Sequence, residues 1–87
     1  MLTEKEVEQK LRGLADEFRV LMKQRQYTKA KARYEVARSV AVTMELSEDI
    51  RAELFGVRGG KGEVLRKGAF PEELVQKAFY ETSVRNT

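Results

Sequence analysis

The sequence predicts an all-α fold: a long antiparallel helical hairpin plus a short helix and a C-terminal helix, together a small helical bundle. Three observations carry this. Val7, Leu11, Leu14, Phe18 and Leu21 recur at alternating spacings of four and three, which puts them on one face of a helix. After Gln26 and Tyr27 the same alternation resumes as Ala30, Tyr34, Ala37, Ala41 and Met44. The break between the stripes is only long enough for a turn, so the two apolar faces must fold onto each other.

The first helix is expected from Glu4 to Arg25. Thr3 and Glu6 have the spacing of a capping box, in which each side chain satisfies the backbone N–H near the other. Glu4, Glu6 and Glu8 suit the positive end of the helix dipole, and Lys23 and Arg25 suit the negative end. Gly13 interrupts the helix at about 1 kcal/mol relative to alanine, unless another backbone packs close to it.

Thr28 is the expected N-cap of the second helix, which runs to Leu46. Alanines dominate its seam and let a neighbouring helix approach closely. Val36 and Val40 lie beside that seam and widen the apolar face. A widened face calls for a second contact, with the C-terminal helix or with another chain, and makes these two residues the candidates for self-association.

Ser47 caps a third helix over Glu48 to Phe55, with Gly56 at the C′ position, where a left-handed backbone favours glycine. The segment from Val57 to Ala69 holds four of the six glycines. It is expected to be a mobile connector, a segment that could order on binding a partner. Pro71 then opens the last helix, with Glu72 and Glu73 in its first turn. The chain thus divides, within a single domain, into the hairpin (1–46), the short helix (47–56), the basic glycine-rich loop (57–69) and the C-terminal helix (70–83). Ser83 to Thr87 are expected to fray.

The predicted core is Leu11, Leu14, Phe18, Leu21, Tyr34, Ala37, Ala41, Met44, Leu54, Phe55, Leu74 and Phe79. A chain of 87 residues buries only roughly 60–65% of its unfolded surface, so added burial from a partner is expected. A dimeric four-helix arrangement would supply it and cover the wide face of the second helix. The charged fraction of 36% fits long helices with solvated outer faces.

Composition narrows the chemistry. Without cysteine there is neither a disulfide nor a thiolate metal site, and without histidine the usual zinc ligand and proton shuttle are missing. No nucleophile stands with a base, and no cofactor motif is present; Asp16–Glu17 and Glu72–Glu73 are sequence neighbours that point apart on a helix. Glu48, Asp49 and Glu53 lack the spacing of a calcium loop. The reading is of a non-enzyme without cofactor or metal. The longest uncharged run, Ser39 to Met44, is too short to span a membrane, and a cytoplasmic setting is expected.

Charge is uneven. Lys23, Arg25, Lys29, Lys31, Arg33 and Arg38 face only Glu35 over residues 23–38, a local balance of +5. Residues 39–57 swing to −3, and residues 58–70 return to +3 through Arg58, Lys61, Arg66 and Lys67 against Glu63. If the two basic regions met, Lys29, Lys31, Arg33, Arg38, Arg58, Lys61, Arg66 and Lys67 would form a cationic patch for nucleic-acid phosphates. Tyr27 and Tyr34 lie among these cations, but Tyr34 occupies the seam and Tyr27 closes the turn, so both are assigned to packing.

A helix-turn-helix drawn over the second and third helices fails, because its recognition helix would carry three acids and one arginine. The loop Gly56-Val57-Arg58-Gly59-Gly60-Lys61-Gly62 fails as a phosphate loop. Its first glycine is one residue too close, Gly62 replaces the required hydroxyl, and a helix precedes it.

Glu53-Leu54-Phe55-Gly56, the basic glycine-containing loop, Phe70-Pro71-Glu72 and Ala78-Phe79-Tyr80-Glu81 together resemble small helical proteins of prophages and mobile elements of Gram-positive bacteria. The resemblance covers residues 53–81. It implies a host-cytoplasm setting and an accessory, packaging or regulatory role, and carries no active site. The leading expectation is a non-catalytic, homodimeric interaction module, and the alternative is a sequence-nonspecific nucleic-acid binder.

Overall fold

The computed structural model describes residues 2–85. Four helices and a small two-stranded sheet follow in the order α1 (Glu4–Lys23), α2 (Tyr27–Thr43), α3 (Glu48–Phe55), β1 (Val57–Arg58), β2 (Val64–Arg66) and α4 (Glu72–Arg85). The helical hairpin and the all-α class are as the periodicity predicts. Met1, Asn86 and Thr87 lie outside the described residues, so fraying at the last two stays an expectation; Ser83 to Arg85 are helical.

Local chemistry sets the helix ends. The Glu6 amide donates to Thr3 Oγ1 at 3.2 Å and the Thr3 amide to Glu6 Oε1 at 3.2 Å, closing the capping box. Ser47 caps α3 through the Ile50 amide at 3.4 Å. α1 and α2 end earlier than expected, at Lys23 and Thr43. Arg25 and Glu45 take left-handed conformations with φ of 59° and 51°. At each end the next amide reaches back five residues, from Gln26 to the Leu21 carbonyl at 2.9 Å and from Leu46 to Ala41 at 3.1 Å. These are Schellman turns built without glycine. Gln26 holds the N-cap position of α2 with no side-chain cap bond, so Thr28 is not the cap; the sharp turn at Arg25 starts the helix two residues too soon for it.

α2 lies against α1 through Ala30, Ala37 and Ala41, all buried. α4 packs against α2 and reaches the turn end of the hairpin. Its Phe79 ring stands 5.9 Å from Tyr34, and its Lys77 ammonium lies 5.9 Å from the Tyr27 ring.

The centre of the core is an aromatic cluster. Phe70, fully buried, packs edge-on against Phe18 at 5.3 Å and Tyr34 at 5.4 Å, and stacks on Phe55 at 5.7 Å. Such pairs add about 0.5–1.5 kcal/mol each beyond the area they bury. Two predicted core residues are not in it. Phe79 is at the exposed margin with Lys31 over its face, and Met44 is 45% exposed. The turn at Glu45 redirects the chain so that Leu46 fills the place expected for Met44. Leu14, Leu21, Tyr34, Phe55 and Leu74 are partly buried against the core, while Ala15, Met22, Val75 and Ala78 lie within it.

The glycine-rich segment is ordered. β1 and β2 pair antiparallel, with Val57 opposite Arg66, and the Gly59 amide donates to the Glu63 carbonyl at 2.8 Å. Beyond β2 the Ala69 and Phe70 amides donate to the Glu53 and Leu54 carbonyls, each at 2.9 Å. This closes the C-terminal end of α3 and delivers Phe70 to the core. Arg58 bridges to Glu72 at 2.7 Å, and Arg66 pairs with Glu53, so the hairpin is tied to α4 and α3. The segment expected as a glycine-rich loop thus contains a short β hairpin.

Candidate interaction surface

One side of the α1/α2 hairpin is covered and the other is open. α3 and α4 occupy the side marked by Arg12, Tyr34 and Lys31: Arg12 reaches Glu53 at 3.8 Å, and Lys31 sits over Phe79 at 5.0 Å. On the opposite side two stripes run the length of the helices. α1 presents Glu6, Lys10, Gly13, Glu17 and Val20, and α2 presents Lys29, Arg33, Val36, Val40 and Met44; both follow the three-and-four spacing of one helical face.

The open side is apolar in its middle. A depression of about 430 Å³ is lined by Leu2, Val7, Lys10, Leu11, Leu14, Val40 and Met44. A second, of about 340 Å³ and nearer the turn, is lined by Asp16, Glu17, Val20, Leu21 and Arg33. Val36 is 48% exposed and Val20 is 52% exposed, while Val40 is half-buried between the helices. The second contact sought for Val36 is not supplied by α4, which lies on the other face of α2. The sequence missed the α1 half of this surface. The signal was Val20 directly beside Leu21, an apolar residue one step off the seam.

The basic residues proposed for phosphate binding do not form one patch, and most are engaged within the chain. Arg33 bonds Glu17 at 2.8 Å, Arg58 bonds Glu72, Arg66 bonds Glu53, and Lys67 approaches Glu73 at 3.5 Å. Lys31 and Arg38 rest over the rings of Phe79 and Phe55, and Lys29 and Lys61 are exposed. Arg38 and Arg58 do come together. With Arg51, which sequence reasoning left out, they line a depression of about 360 Å³ floored by Ala52, Phe55 and Gly56, with Glu48 also in its wall. Arg51 belongs to the acidic α3, and only the fold brings it to the other two.

Burial pushes the Tyr34 phenol upward, and Glu72 adds to this while Arg38 and Arg58 oppose it. The Glu73 carboxyl is lowered by its own backbone amide at the start of α4, with Lys67 assisting. Among the described residues no group of three or more acidic side chains is placed to hold a metal ion, and no helix is long and apolar enough to cross a membrane. In comparison with known proteins, no family model, curated protein or solved structure matches the chain.

Proposed function

We propose that the protein is a non-catalytic interaction module that self-associates through the open side of its helical hairpin. One observation supports this above the others: an apolar stripe in which Val20, Val36 and Met44 are exposed and Leu21 and Val40 are half-buried beside them. Burying it against a second copy would stack two hairpins in a four-helix arrangement and add to the limited burial of a chain of this size. An accessory or regulatory role in the cytoplasm, of the phage-protein kind that residues 53–81 resemble, belongs to the same reading. Light scattering on the full chain at tens of micromolar tests it. The expected mass is twice that of the chain, and a monomer would refute self-association.

A second reading is favoured by the meeting of Arg38, Arg51 and Arg58 at one depression, which suits the phosphates of a nucleic-acid backbone. Fluorescence anisotropy with labelled DNA and RNA between about 50 and about 200 mM salt tests it, since phosphate contacts weaken steeply over that range. Binding that collapses with salt and is lost in Arg51→Gln supports this reading; no binding at the lowest salt removes it.

A further inference from the structure

We infer that the second copy lies antiparallel to the first, turn end against open end, with the two-fold axis passing beside Gly13. The inference rests on the self-association reading and adds its geometry.

Charge along the hairpin is the first argument. At the turn end, residues 23–33 carry Lys23, Arg25, Lys29, Lys31 and Arg33 with no acid among them. At the open end the six acids Glu4, Glu6, Glu8, Glu45, Glu48 and Asp49 outnumber the three cations Lys5, Lys10 and Arg51, a balance of −3. On the open side Arg33 is neutralised by Glu17, which leaves Lys29 towards one end and Glu6 towards the other, with Lys10 between Glu6 and the middle. A head-to-head pairing would set the two cationic turns against each other. An antiparallel pairing sets each against the acidic end of the other copy, as electrostatic complementarity requires.

Gly13 is the second, independent argument. It stands at the middle of α1, with nine helical residues before it and ten after. A Cβ built on it meets no heavy atom within 4 Å, so no packing within the chain accounts for a glycine there. It lies on the open side, three residues from Lys10, four from Glu17 and seven from Val20. In an antiparallel pair of equal helices the midpoint faces itself, and a missing side chain there lets the two helices approach closely. About the same axis Lys10 comes opposite Asp16 and Glu17 of the second copy.

The test uses the full chain, which has no cysteine of its own. Sedimentation equilibrium gives the dimer constant of the wild type and of Lys29→Glu. Antiparallel seating predicts a weaker dimer in Lys29→Glu, by roughly tenfold for two reversed surface charges, and a wild-type dimer that loosens with salt. A tighter dimer in Lys29→Glu, or one that tightens with salt, overturns the orientation while leaving self-association standing. A wild-type chain that is monomeric removes the underlying reading itself. Gly13→Cys under mild oxidation is expected to give a disulfide-linked dimer. A dimer without that cross-link overturns the axis position, and Gly13→Leu supplies the check on folding: it should keep the helical circular dichroism and weaken the dimer.

Discussion

Gly68 crosses the end of α3 so closely to Leu54 that a Cβ on it would stand 2.6 Å from the Leu54 carbonyl carbon and oxygen. Real Cβ atoms do not approach a backbone to that distance. The same crossing brings Gly68 against Gly56, whose own φ of 80° is left-handed. These two glycines let the β hairpin close at its base, and that closure aims Phe70 into the aromatic cluster.

Gly68→Ala is therefore expected to destabilise the chain by about 2–4 kcal/mol, since it strains backbone and displaces a fully buried aromatic. Gly60→Ala is the control: an added Cβ there meets nothing within 4 Å. Urea midpoints by circular dichroism should fall sharply for the first and hardly move for the second. Equal midpoints would show that the crossing is not needed for folding.

Glu45 makes the opposite prediction. It closes α2 in a left-handed conformation that an L side chain adopts at a cost of roughly 1–2 kcal/mol. Glu45→Gly is expected to raise stability by about 0.5–1 kcal/mol, the relieved strain exceeding the added freedom of the unfolded chain. A lowered melting temperature would mean that the Glu45 side chain has a stabilising role its position does not reveal.

Tyr34 should confer a pH dependence in the alkaline range. Burial raises its phenol pKa above the ordinary 10.0, so the folded chain holds the proton after the unfolded chain has released it. The contribution of the neutral phenol is fully present below that value and is lost as pH rises through the folded-state pKa. The difference in urea midpoint between the wild type and Tyr34→Phe, measured at neutral pH, should shift in favour of the variant above pH 10.0. A difference that stays constant with pH would contradict the burial effect.

Signals confined to one turn of the sequence specify their structure, and signals that depend on distant backbone do not. The Thr3–Glu6 box, the Ser47 cap and the left-handed Gly56 each follow from residues within one turn of themselves. The ends of α1 and α2 were placed two or three residues late, because their left-handed residues are Arg25 and Glu45, not glycine. That displacement also put Met44 in the core in place of Leu46. β1 and β2 have two and three residues; alternation cannot register at that length. The sequence pattern puts Phe70 at the start of a helix, and only the closing of the hairpin at Gly56 and Gly68 carries it to the centre. Val36 and Val40 were identified from their position beside the seam, whereas the α1 half of the face needed the placement of α3 and α4 on the other side.

The most direct measurement compares Val36→Glu with the wild type by sedimentation equilibrium from micromolar to hundreds of micromolar. Val36 is 48% exposed, so the substitution should leave the helical circular dichroism intact. The account predicts a wild-type dimer and a monomeric variant across the same range. A wild type that stays monomeric throughout, or a variant that dimerises as tightly as the wild type, would contradict the assignment of this face.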